Sequence, residues 1–462
     1  MTNRVIIFSL LILVLFKVIS VYLTEFTLYG DEAQYWLWSQ SPDLGYFSKP
    51  PLLAWFIYGY ESVFGSSFFS LKMFPIIIYF FISLATYKLC LLLFLSKNKS
   101  FLCAISFFII PAASLSSFLI STDLLLLLFW ILTMIKILET RVNGSIANFF
   151  LFGLFLGLMF LAKYAAVYFL INLVLLIIMD KKTFYVFKMN PVGVIVFLIS
   201  LLVVLIPNVY WNLNNGWVTF SHTSSNANLN NLNLNFYEPI KFISSQILMV
   251  GPILFFSFIF LLKHLNLDFE NKFLLIFSIP IIFIVLVESF LVRANANWAA
   301  PALISVFILF FKIVSDNKMF LIKINFIFNY VIAVILFSFI LTSSKHKIFD
   351  RIRGIDVFVK EISEIINDKD LVISDRIIFS NTSYELRDKP NRLYMAYDNN
   401  MRITNHFQIN SNLMANRKSD FYLIGELSDI SYLLKKNKGS LVKEFVVPFN
   451  SSNLKLYEIN FK

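Results

Sequence analysis

Five places in this chain carry charge where charge is expensive or unexpected. Asp31 and Glu32 follow Gly30 in an aromatic-rich loop, and Lys49 stands directly before Pro50 and Pro51. Asp123 interrupts an apolar run, Lys163 closes another, and Arg293 sits in the short segment VRANANW. Cations held near a lipid surface attract an anion. In a partly dehydrated pocket they hold that anion more strongly than in water. A carboxylate beside them can take a proton from an attacking hydroxyl. Plainer readings exist for each. Asp31 can cap a helix with Gln34 three residues on, and Glu32 then favours the positive helix end. Lys49 can snorkel to headgroups. Asp123 can be a polar break at a span boundary, where burial costs less than at mid-membrane. Taken singly, these residues leave both readings open.

The elements that must position them are membrane helices. Of the 462 residues, 58% are hydrophobic and only 15% charged, against roughly 25% charged in a soluble domain. That excludes a disordered chain and argues against an ordinary cytosolic enzyme. Residues 1–344 hold 20 Lys/Arg and 13 Asp/Glu, while 345–462 hold 19 and 15. Half the charge therefore lies on the last quarter, as in a membrane body (1–344) followed by a small water-soluble domain (345–462). Apolar runs predict eleven spans: 5–23, 71–95, 101–120, 124–138, 148–162, 165–179, 192–207, 243–262, 273–290, 299–314 and 321–342. The first has Arg4 but no small-x-small cleavage site after it, and reads as an uncleaved anchor.

With the N-terminus inside, the inner segments carry 12 basic residues. The outer loops carry Lys49, Lys163 and Arg293, with Lys241 at a span edge. This bias fits the positive-inside rule and an odd span count, and places the C-terminal domain outside the bilayer. It also accounts for the net charge of +11 without nucleic acid. Basic residues set against the trend, near headgroups, point to an anionic partner. Cys90 and Cys103 lie in apolar runs and offer no disulfide framework, and the four histidines are too scattered for a metal motif.

The first outer loop places Asp31, Gln34, Tyr35 and Trp38 at i, i+3, i+4 and i+7, which predicts one helical face. A second amphipathic helix is expected from Pro50–Pro51, after a turn at Gly45. Both are expected to lie along the outer surface. Residues 208–240 contain a turn at Asn214, Asn215 and Gly216, and an Asn/Leu-rich stretch at 226–235 expected to be mobile. Tyr210, Trp211 and Trp217 suit sugar stacking or interfacial anchoring.

In sequence order, GDEAQYWLWSQSPDLGYFSKPPLLAW, ISTDLLLLLFW, LGLMFLAKYAAVYFL, LIPNVYWNLNNGWVTF, QILMVGPILFF and RANANWAAPA resemble the successive signatures of bacterial membrane glycosyltransferases. These form the protein-mannosyltransferase and aminoarabinose-transferase superfamily, with the GT-C fold. The resemblance covers about residues 25–310, and the tail matches more weakly around IFSNTSYELRDKPNRLYMAYDNNMRITNHFQI. It implies a sugar donor on a polyprenyl phosphate and an acceptor (lipid A, another envelope glycan or a protein) at the outer face of the inner membrane. It implies catalytic roles for Asp31, Glu32 and Asp123, donor-phosphate binding by Lys49, Lys163 and Arg293, and substrate contacts from Tyr35, Tyr46, Tyr164, Trp217 and Trp298. Ser48 stands where aminoarabinose transferases often carry an acid before the lysine. A divalent metal site therefore lacks that ligand here, and no other cofactor is implied.

Direct attack on the anomeric carbon predicts inversion. No GxGxxG or Walker A pattern occurs, in keeping with a lipid-linked donor. In the tail, 370–375, 420–425 and 440–447 read as strands, and GIDVFVKEISEIIND as a helix with Val357, Val359, Ile362, Ile365 and Ile366 on one side. A small α/β domain is expected. The rival class, a transporter or flippase for an anionic lipid, more often shows internal repeats, and none is visible.

Overall fold

The fold is described from a computed structural model covering residues 3–24, 26–94, 96–227, 234–367, 369–389, 392–397, 402–411, 420–450 and 453–460. Most of the Asn/Leu-rich stretch, and residues 390–391 and 398–401 of the tail segment, fall outside these. The chain forms two compact units. One comprises Met1–Ser20, Lys49–Leu53 and Leu71–Ser338; the other comprises Val21–Ser48, Ala54–Ser70 and Phe339–Lys462.

The first unit is a helical body. Every expected span falls on a helix or a broken pair. Among the described residues, six helical spans are long and apolar enough to cross a bilayer, and counting each of two bent pairs as one span brings the number to eight. The pairs bend by 100° after Met179 and by 98° after Val250. The 101–120 run breaks into Lys97–Phe108 and Pro111–Ser116, because Pro111 cannot continue a helix that precedes it. The 124–138 run is the apolar part of a longer helix, Thr122–Asn143.

Small residues let three of these helices meet closely. Ile146–Ala162 packs on Thr122–Asn143 and on Pro191–Asn214. A Cβ at Gly153 would lie 2.2 Å from the Phe197 carbonyl oxygen, and one at Gly157 would lie 2.8 Å from Val204. Lipid supplies little hydrophobic drive between helices, so such close backbone approach is what holds them. Lys17, inside the first helix, is 2% exposed. It donates to the Ser114 carbonyl and the Ser117 hydroxyl, and lies 5.3 Å from the Phe337 ring centroid, which offsets part of the cost of a buried cation. Cys90 and Cys103 are free and buried.

The second unit contains a five-stranded sheet of β1 (Leu371–Ile373), β2 (Leu393–Met395), β3 (Phe421–Gly425), β4 (Gly439–Phe445) and β5 (Leu454–Ile459). Its order is β2-β1-β3-β5-β4. β1 pairs in parallel with β2 and β3, while β5 runs antiparallel to β3 and β4. β3 is buried throughout, whereas β4 is an exposed edge with a register shift between Leu441 and Lys443, a common guard against edge pairing. The helix Ile355–Ile366 buries Ile355, Phe358, Val359, Ile362 and Ile366. Val357 is 65% exposed. The apolar face thus starts from Ile355 rather than Val357, one step round the helix from the sequence reading.

The same unit holds the helix Gly30–Ser39 and most of Leu52–Phe64, the pair expected in the first outer loop. Gly30–Ser39 packs along the helix Arg376–Glu385. The contact is close, since a Cβ at Gly30 would come within 2.4 Å of Ile377 Cγ2.

Candidate active site

In the helical body the motif segments converge on Asp123. This residue sits in the first turn of Thr122–Asn143, where the helix dipole favours an acid. Lys163 is the residue at which Ile146–Ala162 ends. Its Nζ lies 2.7 Å from Asp123 Oδ1, and the two side chains are 19% and 15% exposed. Asn297 donates to Asp123 Oδ2 at 2.9 Å. The carboxylate therefore ties three separate segments together through both oxygens. Removing one partner of a pair this sheltered costs more than the ~0–1 kcal/mol of an exposed pair, because the other charge is left uncompensated.

Beside it, Tyr164 donates to Asn208 Oδ1 at 2.7 Å and accepts from Asn212 at 3.4 Å. Its ring stacks on Phe220 at 4.7 Å, and Trp217 meets Phe220 edge-on at 5.3 Å. Trp217 follows the turn at Asn215 and Gly216 with φ 58°. That left-handed conformation is costly for a bulky residue and tends to persist where a site demands it. Its ring is 41% exposed. Trp298 is half-buried in the short helix Ala296–Ala299. Arg293 is exposed and has no ion pair among the described residues. Lys49 is half-buried, three residues before the helix Leu52–Phe64.

The second unit holds the acids of the first loop. The helix begins at Gly30, with Tyr29 as its cap residue rather than Asp31. Glu32, not Gln34, reaches back to the cap: its Oε2 accepts from the Tyr29 N–H at 2.9 Å, and the residue is 1% exposed. Asp31 stays half-exposed, with Oδ1 3.4 Å from Arg376 Nη1. The same guanidinium nitrogen donates to Gln34 Oε1.

Aromatic residues form a stack beneath this helix. Tyr46 lies flat on Trp38, with centroids 4.4 Å apart and planes at 6°. Its hydroxyl donates to the Trp38 carbonyl and accepts from the Asp43 N–H, both at 3.1 Å. Tyr46 is 0% exposed, so it braces the loop and offers no open face. Tyr35 is 7% exposed and meets Trp38 edge-on. His406 packs on Tyr46 at 4.8 Å. Burial pushes its pKa down to about 4, against an upward pull from Asp43. Glu61 accepts from Trp36 Nε1 at 2.6 Å, Ser39 at 3.0 Å and Gln40 at 2.9 Å. Burial pushes its carboxyl up, and those bonds pull it partly back.

Arg376, Asn297, Asn208, Asn212 and His406 were not singled out from sequence. Asn297, Asn208 and Asn212 lie inside the quoted motifs RANANW and NVYWN, but an uncharged amide gives no alarm in an apolar segment. Arg376 gives none either, since one arginine in a charged tail is unremarked. Among the described residues, no group of three His, Cys, Asp or Glu side chains is arranged to hold a metal ion.

The family pattern of dolichyl-phosphate-mannose-protein mannosyltransferases matches residues 48–211. A lipid A galacturonosyltransferase of Rhizobium johnstonii, RgtD, is 26% identical over 394 residues, covering 82% of each chain. The crystal structures of ArnT from Cupriavidus metallidurans match 99% of this chain and 98% of theirs. The TM-score is 0.69 for the apo state at 12% identity, and 0.70 for the undecaprenyl phosphate complex at 11% identity. Fold, family pattern and relative agree with the ordered motifs: the chain is a multi-pass membrane glycosyltransferase of the GT-C fold, similar to the protein mannosyltransferases in its family pattern.

Proposed function

We propose that this enzyme moves a sugar from a polyprenyl-phosphate donor to lipid A or another envelope glycan, at the outer face of the inner membrane, with inversion at the anomeric carbon. The observation that supports this most is the gathering of the Asp123, Lys163 and Asn297 segments around one carboxylate. The galacturonosyltransferase relative acts on lipid A, and the ArnT complex contains undecaprenyl phosphate. Both support the choice of donor and acceptor.

In the reaction an acceptor hydroxyl oxygen bonds to the anomeric carbon as the bond from that carbon to the phosphate oxygen breaks. The electron pair leaves with the phosphate, and the hydroxyl proton goes to Asp31. Lys49, Lys163 and Arg293 stabilise the charge on the departing phosphate. Lys163 is already balanced by Asp123, so the exposed Arg293 brings uncompensated charge. Removing one such cation costs about 2.7–4 kcal/mol if it acts like an oxyanion donor. Asp123 positions Lys163 and Asn297. Glu32 holds the start of the helix that carries Asp31. Trp217, Trp298 and Tyr164 line the donor sugar's path, and the C-terminal domain stands outside the bilayer.

The deciding assay is transfer from a radiolabelled polyprenyl-phosphate sugar to lipid A by the purified chain, with the product anomer read by NMR. Transfer with inversion that falls roughly a hundredfold or more in Lys49→Ala supports the proposal. Transfer unchanged in Lys49→Ala and in Asp31→Asn sinks it, as does translocation of the donor without transfer.

A further inference from the structure

The C-terminal sheet changes its direction of winding at one point. The helix Arg376–Glu385 carries the chain from β1 to β2 on one side, while β3 pairs with β1 on the other. Open α/β sheets take their ligands beyond the carboxyl ends of the strands at such a point. A cavity of about 200 Å³ lies there. Asp375, just past β1, and Glu426, just past β3, face it, together with Asn381, Thr382, Phe449 and Arg351. This is smaller than the ~300–1,000 Å³ of a drug-sized site, which suits one ring rather than a chain.

Among the described residues, two buried polar atoms in its wall lack protein partners. Thr382 Oγ1 and Asn381 Oδ1 make no hydrogen bond, and their residues are 0% and 1% exposed. A threonine inside a helix commonly turns its hydroxyl back to the carbonyl four residues earlier, and this one does not. Buried groups left unmatched in this way call for an explanation. Glu426 has no side-chain partner among the described residues. Asp375 uses only Oδ1, which accepts from the Ile377 and Ile378 N–H groups at 2.8 Å.

The lining selects the ligand. Glu426, Asp375 Oδ2 and Asn381 Oδ1 are acceptors, so the ligand must be rich in donors. Two carboxylates outweigh the single Arg351, which disfavours phosphates and other anions. Phe449 and Ile377 offer apolar surface to the C–H face of a ring. We propose that this cavity binds a monosaccharide unit, neutral or amino-substituted, through its hydroxyl or ammonium groups.

Ile377 lines the cavity and also lies against Gly30, next to Asp31. A sugar bound there is one side chain away from the helix that carries Asp31, as suits a unit of the acceptor glycan. That assignment rests on the transferase reading, whereas the binding itself does not.

The test is saturation-transfer NMR on the full chain in detergent, with methyl glycosides of galactose, mannose and glucosamine as probes and inorganic phosphate as competitor. At least one glycoside should bind saturably. Thr382→Val, which keeps the shape and removes the hydroxyl, should weaken it about tenfold without lowering the unfolding temperature. Glu426→Ala should do the same, and phosphate should not compete. The proposal falls if no glycoside saturates, if binding survives both variants, if phosphate displaces the sugar, or if Asp31→Asn abolishes binding while Thr382→Val does not. Because the readout is binding, it can fail while transfer persists, and transfer can fail while it persists.

Discussion

Asp31 and Asp123 are both acids in the first turn of a helix, and their surroundings differ sharply. Asp123 is 15% exposed, with its oxygens held at 2.7 and 2.9 Å. Asp31 is 49% exposed, touched on one oxygen at 3.4 Å. The first has no oxygen left over for an acceptor hydroxyl. The second keeps Oδ2 without a partner among the described residues. Sheltered, doubly bonded carboxylates hold other groups in place, and open ones are available for proton transfer. Asp31→Asn is therefore expected to lower kcat by roughly 10²–10⁴ with the unfolding temperature unchanged. Asp123→Asn keeps an acceptor for Asn297 and loses only the ion pair, so its kcat should fall less. Steady-state transfer kinetics and thermal unfolding on the same preparations check both. A greater catalytic loss in Asp123→Asn, at equal stability, would reverse the comparison.

Lys163 sharpens it from the other side. Lys163→Met removes the proposed phosphate contact and leaves Asp123 sheltered without its counter-charge. The expected loss in kcat is about 10²–10³. Stability should also drop, by less than the ~3–5 kcal/mol of a fully buried pair. The double variant Asp123→Asn with Lys163→Met should recover the stability and not the activity. Recovery of both would show that the lysine serves only its acid.

Much of this was legible in the residues. Charge in apolar runs pointed to Asp123 and Lys163, because charge placed there is costly. Apolar length alone located the helices, including those later found broken. Pairing was not legible, since the strand β2 is three residues long and β5 (LKLYEI) carries a lysine and a glutamate among its apolar residues. Burial of single aromatics was not legible either. Tyr46 and Trp217 look alike in sequence, yet one is 0% and the other 41% exposed. Only packing decides that, through the flat stack on Trp38 in one case and a left-handed turn in the other. The Arg376–Asp31 contact spans 345 residues, beyond the reach of any local pattern.

The aromatic stack under Asp31's helix makes a prediction about pH. His406 has a folded pKa of about 4, lowered by burial, against about 6.5 in an unfolded chain. Between those values the unfolded chain binds the extra proton. The stability is thus full above pH 6.5 and lost as pH falls toward 4. From pH 7 to 5 the loss from this group is about 2 kcal/mol. Glu61 and Glu385, pushed up by burial, act in the opposite sense, so the comparison must be with a variant. Thermal unfolding of His406→Phe should show that much less acid sensitivity than the parent. Equal sensitivity would mean that the ring is solvated and the stack open.

The smallest effect belongs to Arg376, which holds Asp31 more loosely than Lys163 holds Asp123. Its side chain is 42% exposed and its contact with Asp31 is 3.4 Å, a geometry worth ~0.2–1 kcal/mol. Asp31 should therefore work without it, less well aimed. Arg376→Gln is expected to lower kcat less than about fivefold and leave KM for the lipid donor unchanged, while Arg376→Lys, keeping the charge on a floppier stem, should recover part of the loss. A loss as large as that of Asp31→Asn would mean that the arginine touches the substrate itself. No loss at all would mean that Gln34 and the Gly30–Ile377 packing suffice to hold the helix.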